Sequence, residues 1–155
     1  MKVTLCAVGR LRAGPEKVLV DDYAARFARY GQAVGLGPLT IVEVADRKGG
    51  GMAAEAVLLA RAVPAGAVVW VLDERGEAVT SPVLADRLGR VRDAGRDLAL
   101  VIGGADWIDA ALRARADMAI SLGAMVWPHM LVRVMVAEQL YRATQILAGT
   151  PYHRA

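Results

Sequence analysis

The sequence predicts an α/β protein with a mostly parallel sheet covered by helices on both faces. Three observations carry this. Strand-like and helix-like segments alternate from one end of the chain to the other. Two of the strand segments, Ala67–Glu74 and Asp97–Gly104, are almost wholly apolar, as strands buried on both faces must be. The chain has 155 residues, 55% of them hydrophobic, which suits one domain with a substantial core and excludes disorder. No linker or repeat divides residues 1–155, so a single domain is expected.

The elements follow in order. "KVTLCAV" (Lys2–Val8) is a strand closed by Gly9. Pro15–Gly31 is a helix, with Pro15 in its first turn and Gly31 as its stop. Leu39–Asp46 is a second strand, followed by the loop "RKGGG". A helix over about Met52–Val63 ends at Pro64-Ala65-Gly66. Ala67–Glu74 is the third strand. Ser81 as N-cap and Pro82 open a third helix, whose Leu84, Leu88 and Val91 share one face, and Gly95 ends it. Asp97–Gly104 is the fourth strand, Ile108–Ala116 a short helix, Met118–Gly123 the fifth strand. The last helix runs from His129 to Leu147.

Composition narrows the function classes. No apolar run reaches the ~20 residues of a membrane span, because Arg133 and Glu138 interrupt the longest one. The first residues alternate like a strand and lack a signal-peptide cleavage site, so a cytoplasmic protein with no membrane partner is expected. One cysteine, Cys6, reads as a small core residue; with two histidines it cannot build a zinc site, so no metal is expected. Net charge is +3, and 16 of the 19 basic residues are Arg. Arg grips phosphate with a planar fork, although coding bias would enrich it equally.

Ligands of open α/β sheets bind beyond the carboxyl ends of the strands. Three strand ends stand out: Leu72-Asp73, Gly103-Gly104 and Leu122–Trp127. The glycine pair either lets a backbone approach something closely or makes a tight turn. Neither standard phosphate cradle is present: no GxGxxG follows a strand, and "RKGGG" lacks the Lys-Ser/Thr of a P-loop. A cofactor without phosphates fits that absence. Trp107 and Trp127 stand beside these loops as core or pocket wall.

The last helix is apolar around nearly its whole circumference. Such a helix is buried on all sides, either deep in one chain or across a two-fold homodimer. Glu138 and Arg142, at i and i+4, suit a solvated salt bridge on its polar strip. Arg133 near the helix start is badly placed for the dipole, which favours anions there, and this points to a ligand. His129 alone reads as structural, and a terminal Tyr152-His153-Arg154 alone as frayed.

Together, however, "LVIGG", "SLGAMVWPHMLVRVMVAEQLYRA", the terminal "YHRA" and "AVGRLR" near the start resemble the ribosomal large-subunit methyltransferase H family. That family belongs to the SPOUT class of S-adenosylmethionine-dependent RNA methyltransferases, and the likeness covers the whole chain. It implies a SPOUT-type fold with a carboxyl-terminal trefoil knot, a rare exception to unknotted topology. It implies a homodimer acting on the ribosome, with the methyl donor held mainly by backbone groups of Leu72, Gly103, Gly104, Leu122, Gly123, Ala124, Met125, Val126 and Trp127. The implied reaction is methylation of N3 of pseudouridine 1915, in the helix 69 loop of 23S rRNA, on assembled ribosomes. An inactive RNA-binding domain of the same fold is the alternative. A hydrolase using Ser121 and His129 is weaker, because Ser121 lacks the Gly-x-Ser-x-Gly elbow. Val126 stands where the family usually has threonine, and Trp107 where it has a small residue.

Removing the N3 proton leaves charge on the flanking carbonyl oxygens, which cationic donors stabilise. The expected reagents are His129 and Arg133 from one subunit and Tyr152, His153 and Arg154 from the tail. In this scheme Tyr152 stacks on a base, Arg154 holds phosphate and His153 accepts the proton.

Overall fold

The computed structural model describes residues 1–45, 51–104 and 108–153. The expected end of the second strand at Asp46, most of the "RKGGG" loop, Trp107 and Arg154 lie outside them. Five strands form one wholly parallel sheet in the order β2-β1-β4-β3-β5. The strands are β1 (Val3–Val8), β2 (Leu39–Val44), β3 (Val68–Ala78), β4 (Leu98–Ile102) and β5 (Met118–Ser121), joined by helices α1 (Pro15–Gly31), α2 (Gly51–Ala62), α3 (Ser81–Asp93) and α4 (Ala110–Ala114). Helix α5 (His129–Leu147) closes the chain. Each expected element is present, with ends shifted by a few residues.

The period of two along β1 divides the core. Val3, Leu5 and Ala7 join one cluster, with Phe27 of α1, Leu88 of α3 and Val136 and Leu140 of α5. Cys6 and Val8 join the other, with Leu59 of α2 and Leu112 of α4. Helices α1, α3 and α5 therefore cover one face, and α2 and α4 the opposite one. Both faces of β1 are buried because both are covered.

Two local corrections have simple causes. Thr80, not Ser81, caps α3: its hydroxyl accepts from the Val83 amide at 3.4 Å. Ser81 instead donates to Gln139 of α5 at 2.7 Å. Strand β3 runs past Glu74 to Ala78, because Asp73–Gly76 leave the ladder as a bulge and Glu77 rejoins it. Leu72 and Glu77 both face Ile120 of β5. Gly76 permits the return, since a Cβ there would lie 2.7 Å from the Ala119 carbonyl oxygen.

Candidate active site

The tips of β4, β3 and β5 are neighbours in the sheet, and a cavity of about 410 Å³ opens over them. Its walls are Leu72–Glu74 from β3 and its bulge, Ile102–Gly104 after β4, and Ile120, Leu122, Gly123 and Met125–His129 around β5. Val132, one turn along α5 from His129, completes it. The chain after β5 thus crosses the strand tips before entering α5. Of the expected donor-binding residues, all but Ala124 line this space.

The bulge is fixed by charge. Asp73, only 4% exposed, accepts from the Arg75 amide at 2.8 Å and from the Arg75 guanidinium at 3.0 and 2.8 Å. Arg113 of α4 stands 3.3 Å away and donates to the Arg75 carbonyl at 3.1 Å. Hydrogen bonds from the Arg75 side chain hold the Asp73 carboxyl below its ordinary value, against the opposing effect of burial. This network was not foreseen beyond Asp73 as a strand tip. An acidic residue followed two positions later by Arg, at the end of an apolar strand, was the available signal.

In the glycine pair, Gly104 is closely approached by a side chain of the opposite layer. A Cβ on Gly104 would lie 2.8 Å from a carboxylate oxygen of Glu55, from α2. The carboxyl-terminal wall is different in kind. Met125 and Val126 are 67% and 66% exposed, so this side of the cavity is an uncovered apolar loop. Ser121 is no free nucleophile: its hydroxyl donates to the Gly123 carbonyl at 3.0 Å and accepts from the Gly123 amide at 3.2 Å.

The expected reagents separate. His129, at the first turn of α5, faces the cavity. Arg133, expected to serve a ligand, does not line it. Its side chain is 1% exposed and donates to Glu43 of β2 at 3.0 Å, to the Gly9 carbonyl at 2.9 Å and to the Val8 carbonyl. Burial pulls this guanidinium below its ordinary value while Glu43 opposes the shift. The charge at the wrong end of the dipole is thus answered by Glu43 and by the tips of β1 and β2.

Tyr152 and His153 do not line their own chain's cavity. The Tyr152 hydroxyl donates to Glu138 at 3.1 Å, its ring meets Tyr141 edge-on at 4.7 Å, and the Arg142 guanidinium lies 4.9 Å from its centroid. Glu138 and Arg142 are indeed paired at 2.6 Å, but the pair is largely shielded and ties down the tail rather than standing in solvent. Burial, then the Glu138 charge, pushes the Tyr152 phenol up to about 12. His153 Nδ1 is buried with no hydrogen-bond partner among the described residues.

A largely apolar slot at three strand tips has the character of a small-molecule site, with apolar walls and a few polar groups. The fold is shared with solved methyltransferases. A probable methyltransferase from Bordetella pertussis Tohama I superposes with a TM-score of 0.52 at 14% identity, covering 92% of this chain and 93% of that one. A probable methylase family protein from Haemophilus influenzae Rd KW20 gives 0.51 at 13%, covering 99% and 70%. The finer placement comes from sequence. The model of the predicted SPOUT methyltransferase family matches residues 1–153, and the chain belongs to that family. Its relatives include proteins named ribosomal RNA large subunit methyltransferase H. That of Dinoroseobacter shibae is 68% identical and that of Ruegeria pomeroyi 67%, each alignment covering 99% of both chains. SPOUT methyltransferases take their methyl group from S-adenosylmethionine.

Proposed function

We propose that this chain, as one SPOUT-type domain, methylates N3 of pseudouridine 1915 in the helix 69 loop of 23S rRNA, on assembled ribosomes in the cytoplasm. The observation that carries the reading is the apolar cavity over three adjacent strand tips with His129 at its wall. The identity with the two named rRNA methyltransferases supports rRNA as substrate.

The sulfonium donor supplies an electrophilic methyl group. The protein's task is alignment for in-line displacement, which can contribute on the order of 7 kcal/mol or more. Leu72, Gly103, Gly104 and Leu122–Trp127 hold the nucleoside through backbone groups and apolar walls. His129, near the positive end of the α5 dipole, stabilises the charge that develops on the imide oxygens. His153 takes the N3 proton, Tyr152 stacks on a base and Arg154 holds phosphate. Arg133 acts one step back, by fixing the start of α5 against β1 and β2.

The tail serves the partner's cavity in a homodimer. Tyr152 and His153 stand away from their own cavity, and an apolar face awaits cover. Val18 and Leu19 of α1, and Met130 and Leu131 of α5, are 37–67% exposed. A groove of about 590 Å³ runs between α1, α3 and α5. A second copy buries this face with two-fold symmetry. The carboxyl-terminal third is read as threaded into a trefoil knot, in keeping with the path of residues 122–128 over the strand tips.

The test is to incubate the protein with labelled donor and ribosomes lacking the modification, then map the labelled base. Label on N3 of pseudouridine 1915 supports the proposal. Label elsewhere in the rRNA overturns the assigned site, and no label overturns the activity.

A further inference from the structure

Helix α2 carries a residue that does not suit its position. Glu55 and Leu59 are four apart and share a face. Leu59 is buried in the second core cluster, and Glu55 is only 8% exposed. A hydrophobic residue is the ordinary occupant of such a site, because a carboxylate taken out of water is costly unless it is compensated. Its carboxyl group is directed at the tip of β4. Both its oxygens abut Gly104: a Cβ there would lie 2.8 Å from Oε2 and 3.1 Å from Oε1. Gly104 lines the donor cavity. It is not among the glycines with positive φ, so what distinguishes its position is the close approach of this carboxylate rather than a left-handed backbone.

We infer that Glu55 is a positioning residue for the methyl donor: its buried carboxylate braces the Gly103-Gly104 tip of β4 from the far side of the sheet. The site's backbone groups would then depend on an acidic residue of α2 that does not itself line the cavity. This rests on reading the cavity as the donor site.

The experiment compares parental protein with Glu55→Ala, Glu55→Gln, Gly104→Ala and the double variant Glu55→Ala/Gly104→Ala. Calorimetry measures the affinity for S-adenosylhomocysteine, and hydrogen–deuterium exchange in the free protein follows the amides of Gly103 and Gly104. Glu55→Ala is expected to weaken binding by about tenfold or more, since small misplacements in a preorganised site are costly. It should also speed exchange at these two amides while those of β1 stay protected. Glu55→Gln, which keeps the shape and one oxygen, recovers most of the affinity. Gly104→Ala alone also weakens binding, but adds little in the Glu55→Ala background, because both act through one contact. If Glu55→Ala fails to fold, the Gly104→Ala and Glu55→Gln values decide: parental affinity in Gly104→Ala, or a Glu55→Gln no better than Gly104→Ala, overturns the inference. Parental affinity and exchange in Glu55→Ala overturn the assignment of Glu55 alone. Failure of the parental protein to bind overturns the cavity reading and this inference with it.

Discussion

Replacing Arg133 with Met separates a structural tie from a chemical reagent. The substitution keeps an apolar stem but removes the donor shared by Glu43, Val8 and Gly9. Breaking a buried ion pair from one side costs about 3–5 kcal/mol. Here the low end applies, because the Glu43 side chain is 27% exposed and still accepts from the Leu11 amide at 2.7 Å. Each of the two carbonyls loses a hydrogen bond of about 1 kcal/mol. Met recovers some packing, so the net is about 4 kcal/mol. For a domain of this size, that lowers Tm by roughly 8–16 °C. The assay is thermal and urea unfolding of Arg133→Met, Arg133→Lys and Glu43→Gln. Lys has one ammonium for three acceptors on two strands and should recover less than half the loss. Well below its own Tm, Arg133→Met should bind S-adenosylhomocysteine within about threefold of the parent, a difference under 1 kcal/mol. An Arg133→Met protein of parental stability with methylation abolished would refute this and return Arg133 to the chemistry.

Other outcomes follow from the same contacts. Asp73→Asn weakens the hold of Arg75 and Arg113 on the β3 bulge, so donor affinity should fall more than Tm does, read by calorimetry beside thermal melts. The Asp73 carboxyl is held below its ordinary value, so the stability it contributes is present above that value and fades as pH falls through its lowered one; acid unfolding of Asp73→Asn should show a smaller pH dependence in that window. The Tyr152 phenol is shifted from 10.0 to about 12, so the stability linked to it is complete below pH 10 and is lost between those values. Spectroscopic titration should show a late phenol step that Tyr152→Phe removes. Burial raises the Cys6 thiol to about 11, so alkylation near neutral pH should be negligible in the folded protein and prompt after unfolding. Leu19→Glu or Leu131→Asp should convert the proposed dimer to a single chain in sedimentation, with the helical content retained. His153→Ala and truncation after Pro151 should slow methylation without changing donor affinity; parental rates in both would remove the tail from the mechanism.

The sheet was legible because two of its strands are apolar beyond what a one-sided sheet needs, α1 because Pro15 and Gly31 mark its ends, and α3 because Leu84, Leu88 and Val91 share a face. The cavity was legible as three strand ends, which topology then brings side by side. What escaped was set by contacts distant in sequence. Nothing near Arg133 announces Glu43, 90 residues earlier, and dipole reasoning on one helix assigned to a ligand what a neighbouring strand supplies. The return of Glu77 to the ladder after the bulge depends on how β5 pairs, which no local pattern encodes. The burial of Glu55 depends on where the tip of β4 lies, which the helical pattern of α2 does not show. The expected solvated pair at Glu138 and Arg142 had the right partners, but the folding back of Tyr152 onto them is a tertiary event.

The central claim is that backbone at three strand tips, and not a charged side-chain cradle, holds the methyl donor. A crystal structure with S-adenosylhomocysteine tests it most directly. The account predicts the nucleoside over β4, β3 and β5, contacting main-chain atoms of Leu72, Gly103 and residues 122–127. A ligand bound elsewhere, or held there mainly by charged side chains, would contradict it.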